Sequence, residues 1–196
     1  MVGVDPLPEM VCAASSAVAG AQFAVGSAES LPIASGAVDV IVAAGALNFV
    51  DLPRFAAEAA RVLKGDGVIA VYDFATGRRS AATPGVTEVY DGFAQRWPRP
   101  TSGRQVINPA VLFAVGFSVI SSREVVVTLD MTAAAYVNYL MTETNVSAAI
   151  GRGEPEHEIR AWCDATFTPV FPASIPIEFD AWFALLQPSK LRRSSY

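Results

Sequence analysis

Val38-Asp39-Val40-Ile41-Val42-Ala43-Ala44 is a run of β-branched and small apolar side chains broken by one carboxylate. Such a run belongs to a central strand, because helices packed on both faces of a parallel sheet leave few positions for polar groups. Downstream, Asp51 is placed to cap a helix over Pro53 to Leu63. Lys64-Gly65-Asp66-Gly67 then reads as a turn, and Val68 to Phe74 as a second apolar strand. Upstream, Ser27 to Gly36 is a loop containing Pro32, and Gln22 to Gly26 is a short strand. Pro8 opens an alanine-rich helix over Glu9 to Val18, proline being favourable at a first helical position. Met1 to Val4 is a short strand ending at Asp5. The order strand, helix, strand, strand, helix, strand predicts an α/β fold with a parallel sheet.

The remainder extends this pattern. Residues 76 to 107 are richer in Gly, Pro, Arg and Ser, which predicts a mobile cover. Asn108-Pro109 starts a short helix that Gly116 stops. Phe117 to Leu129 is a long β-branched strand, and Thr132 to Ile150 an amphipathic helix broken by Gly151 and Gly153. A further helix follows over Pro155 to Phe167. In the last strand, Ile175 to Leu186, Ile175, Ile177 and Phe179 alternate with Pro176, Glu178 and Asp180. The tail after Pro188 is polar.

Bulk properties narrow the functions. A chain of 196 residues fits a single domain, with 76–116 and 131–172 as substrate cover. It is 52% hydrophobic and 17% charged, ample for a core. No apolar run reaches the roughly 18 residues of a membrane span. No basic leader followed by an apolar stretch is visible, so a cytoplasmic location is expected. The net charge is −5, and the basic pairs are Arg78-Arg79 and Arg192-Arg193, a poor match to a nucleic-acid surface. Cys12 and Cys163 lie far apart in sequence without metal-type spacing, and His157 is the only histidine. No metal site and no Ser-His-Asp triad is expected.

The residues that carry chemistry sit at strand ends, where doubly wound folds bind ligands. Asp5 can accept hydrogen bonds from ribose hydroxyls; it can equally be a plain helix cap. Behind it come Ala28-Glu29-Ser30-Leu31-Pro32, then the Asp39-Val40 strand, then Ala46-Leu47-Asn48-Phe49-Val50-Asp51, then Arg61-Val62-Leu63-Lys64-Gly65-Asp66-Gly67. In this order and spacing, the set resembles the S-adenosylmethionine (SAM)-dependent methyltransferases of the Rossmann-like, small-molecule type. The resemblance covers residues 1 to about 75 closely and the rest more weakly.

The resemblance implies a three-layer sandwich with a mostly parallel sheet and an antiparallel last strand. It implies SAM as cofactor, with Asp5 on the ribose and Leu7 against the adenine. Ser27, Ala28 and Glu29 would lie by the adenine edge, and Ala44 and Gly45 by the methionine. Ser27 stands where the family often has Asp, and Asn48 where many relatives have His. The helical insert before the last strand, with its Tyr136, Tyr139, Leu140, Thr142 and Asn145 pattern, resembles the cap of trans-aconitate methyltransferase relatives. With Asn48, Phe49, Tyr90 and Trp97, Tyr136, Tyr139 and Asn145 form the candidate substrate wall; the aromatics can equally be ordinary helix core. No residue stands out as a catalytic base, although Asn48, Glu143 and His157 are candidates.

The family opens with a strand and a Gly-x-Gly-x-Gly loop, and this sequence contains no such loop. An N-terminally truncated methyltransferase, inactive as isolated, is one expectation. A non-catalytic remnant that binds a protein partner through its exposed sheet is the alternative. A nicotinamide reductase is a weaker third reading, lacking a Tyr-x-x-x-Lys pair. The expected ligand is a small molecule, with no nucleic acid or membrane partner and a homo-oligomer as a candidate assembly.

Overall fold

A computed structural model describes residues 1–100 and 107–188. Arg192-Arg193 and the polar tail lie outside the described residues. The described residues form six strands and seven α-helices, in the order β1 (Val2–Asp5), α1 (Pro8–Ala17), β2 (Gln22–Val25), β3 (Val38–Ala44), α2 (Leu52–Val62), β4 (Leu63–Phe74), α3 (Gly85–Arg96), α4 (Pro109–Ala114), β5 (Phe117–Met131), α5 (Ala133–Leu140), α6 (Thr144–Gly151), α7 (Glu156–Phe167) and β6 (Ile175–Pro188). This is an α/β architecture.

The strands form two sheets. β1 and β2 pair in parallel, Val2 opposite Gln22 through Asp5 opposite Val25. The other sheet has the order β3-β4-β6-β5, with β3 and β4 parallel. β1 does not pair with β3, so the two edges stand separately. The described residues fall into two compact units, one comprising 1–73, 107–123 and 182–188, the other 74–100 and 124–181.

In the first unit, Leu47, Leu52, Phe55, Ala59 and Leu63 bury the apolar stripe of α2 and its flanks against Ile69 and Val71 of β4 and Leu112, Phe117, Ala184 and Leu186. Asp51 caps α2, its carboxylate accepting from the Arg54 N–H at 3.1 Å. α1 buries no residue. In the second unit, aromatic rings fill the core: Tyr90, Phe93 and Trp97 from α3, Tyr136 from α5, Phe167 from α7, and Phe171.

β3, expected as a central strand, lies at an edge of its sheet with Val40 and Val42 exposed, and three further expectations fail here. Lys64 to Gly67 is not a turn between elements but part of β4. The pairing register jumps between Val38–Leu63 and Val40–Val68, so these residues form an irregularity inside a paired strand. Gly67 is required there, since a Cβ would come 3.2 Å from the Asp39 carbonyl and 2.8 Å from the Leu63 side chain. Second, residues 76–107 contain the well-packed α3 rather than only a cover. Third, Thr132 to Ile150 is two helices. The Glu143 backbone is extended, and its carboxylate accepts from the Thr76 and Tyr139 hydroxyls, a tertiary demand that an unbroken helix would not meet.

Among the described residues, no helix is long and apolar enough to cross a membrane.

Candidate functional site

Parallel strands deliver their carboxyl ends to a common side of their own sheet, so the end of β1 in one sheet and the ends of β3 and β4 in the other are where chemistry is to be sought. At the end of β1, Asp5 is half-buried, and its Oδ1 accepts the Leu7 N–H at 2.9 Å. This is the local turn of a short acidic side chain that precedes a helix. Leu7 itself is exposed.

Beyond β2, Ser27 and Ser30 form an antiparallel bridge that closes a tight turn, with Ala28 packed against the first unit's core. Glu29 Oε1 accepts the Asp51 N–H at 2.8 Å. That backbone bond, assisted by Ser27 and the nearby Arg54 charge, holds the Glu29 carboxyl below its ordinary range. The turn is also braced by Glu58, which accepts the Leu31 N–H at 2.7 Å and pairs with Arg61.

At the end of β3, Ala44 is exposed and Gly45 takes φ +58°, a left-handed conformation that glycine adopts without strain. A Cβ on Gly45 would lie 3.4 Å from Asp73 Oδ1. The following 3-10 turn, Leu47–Phe49, buries Asn48 to 4% exposure and leaves Phe49 outside. Asn48 Nδ2 donates to Asp73 Oδ2 at 2.7 Å. Asp73 is near the end of β4 and was not singled out from the sequence. Its signal was available: an acidic residue near the end of an apolar strand, as with Asp5.

Gly45, Leu47, Asn48, Val71, Asp73 and Trp182 line a small indentation with room for about one water molecule, with Ile107 on its wall. Its solvent-facing wall is apolar.

The other candidate substrate residues belong to the second unit. Tyr90, Trp97, Tyr136 and Asn145 are buried in its core. Tyr136 donates to the Gly77 carbonyl at 2.6 Å, and Asn145 Nδ2 to the Trp97 carbonyl at 2.9 Å. Burial pushes the Tyr136 hydroxyl far above its usual range. Tyr139 is half-buried and donates to Glu143 Oε1 at 2.6 Å, while Arg99 bonds both Thr76 and Glu143. His157 is exposed in the first turn of α7. Among the described residues, no group of three His, Cys, Asp or Glu side chains could hold a metal.

Residues 1–71 match the family model described as a methyltransferase domain. Over 67 residues, 34% of the chain, it is 37% identical to an uncharacterized methyltransferase of Mycobacterium tuberculosis. The chain spans 28% of that relative's length. A solved structure assigned as a type II methyltransferase from Anaeromyxobacter dehalogenans superposes with a TM-score of 0.65 at 22% identity, covering 94% of this chain and 78% of that one. One assigned as a methyltransferase from Bacillus halodurans gives 0.54 at 12% identity, covering 96% and 82%. Residues 1–71 thus resemble a methyltransferase domain, and the fold resembles that of the solved structures assigned as methyltransferases.

Proposed function

We propose that the protein transfers a methyl group from SAM directly to a small organic molecule at the carboxyl ends of β1, β3 and β4. The single observation that carries this is the presence in one unit of the Asp5 turn, the exposed left-handed Gly45 and the Asn48–Asp73 pair beyond it. The residues present fit part of the cofactor. Asp5 is an acceptor-only carboxylate suited to vicinal ribose hydroxyls, and Leu7, Ser27 and Ala28 would hold the adenine. Ala44 and Gly45 would lie along the methionine, where the left-handed glycine removes side-chain bulk. When bound, SAM supplies an electrophilic methyl on a sulfonium. The chain's own contribution is then to align the acceptor, and alignment alone can be worth roughly 7–11 kcal/mol.

Calorimetry with S-adenosylhomocysteine tests this reading. We expect a dissociation constant weaker than about 1 μM, corresponding to roughly −8 kcal/mol, because no Gly-x-Gly-x-Gly loop is present to add backbone contacts. Asp5→Ala should weaken it further, by about tenfold, the loss of a hydrogen bond to a charged group. Absence of binding at millimolar ligand would overturn the proposal.

It would favour a second reading, in which the chain binds a protein partner through its exposed sheet. The observation behind this is that β3 ends its sheet with Val40 and Val42 52% and 61% exposed, while β1 stands apart from it.

A further inference from the structure

The four-stranded sheet ends on β3 at one side and on β5 at the other, and no described strand pairs with either outer edge. Each edge strand carries exposed aliphatic side chains, Val40 and Val42 on β3 and Val125, Val126, Val127 and Leu129 on β5. Unpaired N–H and C=O groups beside such side chains are a template for a further strand. The charges decide which strand fits. Pairing β5 with itself about a two-fold axis at Val127 sets Glu124 against Asp130, and an axis at Val126 leaves these carboxylates as diagonal neighbours. Pairing β3 with itself leaves both β5 edges open. By contrast, β5 laid parallel to β3 has a register that sets Arg123 opposite Asp39, Val125 opposite Ile41 and Val126 opposite Val42. A one-residue slip in one direction sets Glu124 against Asp39, like charge against like. A slip in the other leaves Asp39 against Ser122 and Arg123 against Val40, with no charge matched.

We propose that the protein assembles head to tail, the β5 edge of one copy docking in parallel on the β3 edge of the next, so that the sheet runs on from copy to copy. Residues directly opposite share a face, so Val126 covers Val42 on one face and Val125 meets Ile41 on the other. Lys64 of β4 already donates to the Asp39 carboxylate at 2.8 Å. Arg123 of the incoming copy extends that pair into a row of alternating charge across the joint. The two docking edges are different surfaces, so the contact is heterologous. Such contacts close into a ring or continue as a filament, according to the rotation between neighbours. The assembly goes beyond the methyl-transfer reading and does not depend on it.

The test is sedimentation velocity on the full chain without cofactor. The parent should form species larger than two chains as concentration rises. Val42→Lys blocks the β3 edge and Val126→Lys the β5 edge. Each variant alone should be monomeric, because every contact between identical copies needs both edges. Mixed one to one, the two variants should form a species of two chains and nothing larger. In that pair the intact β5 of the Val42→Lys copy meets the intact β3 of the Val126→Lys copy. Arg123→Asp should weaken parent association about threefold to fivefold, the size of one like-charge cross-strand pair. A parent that stays monomeric at every concentration would overturn the proposal. So would a dimer persisting in either lysine variant alone, which would mark a two-fold contact through the edge left intact. A mixture that stays monomeric or grows beyond two chains, or Arg123→Asp associating as the parent does, would overturn it as well. If either lysine variant lacks the parent's cooperative unfolding transition, Val40→Lys or Val127→Lys, exposed on the same strands, takes its place.

Discussion

Individual side chains differ most where burial changes their chemistry. Cys12 is exposed on α1, whereas Cys163 is buried in the second unit's core. Desolvation pushes the Cys163 thiol up to about 12, with Asp164 adding to the rise. The thiolate is the nucleophile, so Cys163 is inert at neutral pH in the folded protein. A chromogenic disulfide reagent should titrate one thiol rapidly in the native protein and both in denaturant; two fast equivalents in the native state would contradict this burial. At the opposite end of the pH scale, the carboxyls of Glu29 and Glu58 are held low, Glu29 chiefly by the Asp51 N–H and Glu58 chiefly by Arg61. A depressed folded value contributes stability above the ordinary carboxyl value of 4.5 and loses it as pH falls through the folded value. Urea midpoints should therefore drop below about pH 4.5, and Glu29→Gln should flatten that drop. An equally steep drop in the variant would remove Glu29 from the account. At Asp51 the capping bond to Arg54 predicts a loss of about 1 kcal/mol for Asp51→Ala and little for Asp51→Ser, measured by the same unfolding curves.

The elements differ as much in how firmly they are held. A two-stranded sheet alone is marginal in water. β1 and β2 form such a sheet, and the neighbouring α1 buries nothing. Hydrogen exchange should accordingly be fastest for the amides of residues 2–25 and slowest in β4 and α2, where Ile69, Ala59 and Val62 are fully buried. Equal protection in the two regions would show that β1 and β2 are held by something beyond their own pairing. The same contrast explains what was legible beforehand. Seven successive residues of one pattern identified β3 to the residue. The start signal Asn108 and the stop signal Gly116 bracketed α4 because capping and left-handed glycine are local chemistry. α3 was missed because Gly85, Gly92 and nearby prolines obscured it, although Val86, Tyr90, Phe93 and Trp97 keep helical spacing. The break at Glu143 was not legible, since it depends on Thr76 and Arg99, distant in sequence. Of the candidate site, Asp5 and Gly45 were visible as strand-end residues, whereas the Asn48–Asp73 pair depends on neighbouring strands and appears only in three dimensions.

For the molecule as a whole, exposed apolar strand surface is the dominant unsatisfied feature. β5 lies at one edge of the four-stranded sheet, and Val125, Val126, Val127 and Leu129 are all exposed along it. Successive residues of a strand face opposite ways, so exposure of three consecutive valines means that neither face of this segment is covered. At the other edge, β3 leaves Val40 and Val42 in solvent. Edges of this kind offer unpaired N–H and C=O groups to another chain, and natural edges are commonly blunted with lysine. Within β5, Arg123 and Glu124 precede the valines and Asp130 follows Leu129, so no charge interrupts the apolar segment. We therefore expect concentration-dependent self-association in sedimentation velocity. Val126→Lys should shift the distribution toward monomer if β5 is the contact, and Val42→Lys should do so if β3 is. Both positions are at least half exposed, so neither lysine disturbs a packed core, and a change in unfolding midpoint would be a separate effect. A concentration-independent monomer in the parent protein would show that these edges are quiet in solution. Association unchanged by either lysine would place the contact elsewhere on the molecule.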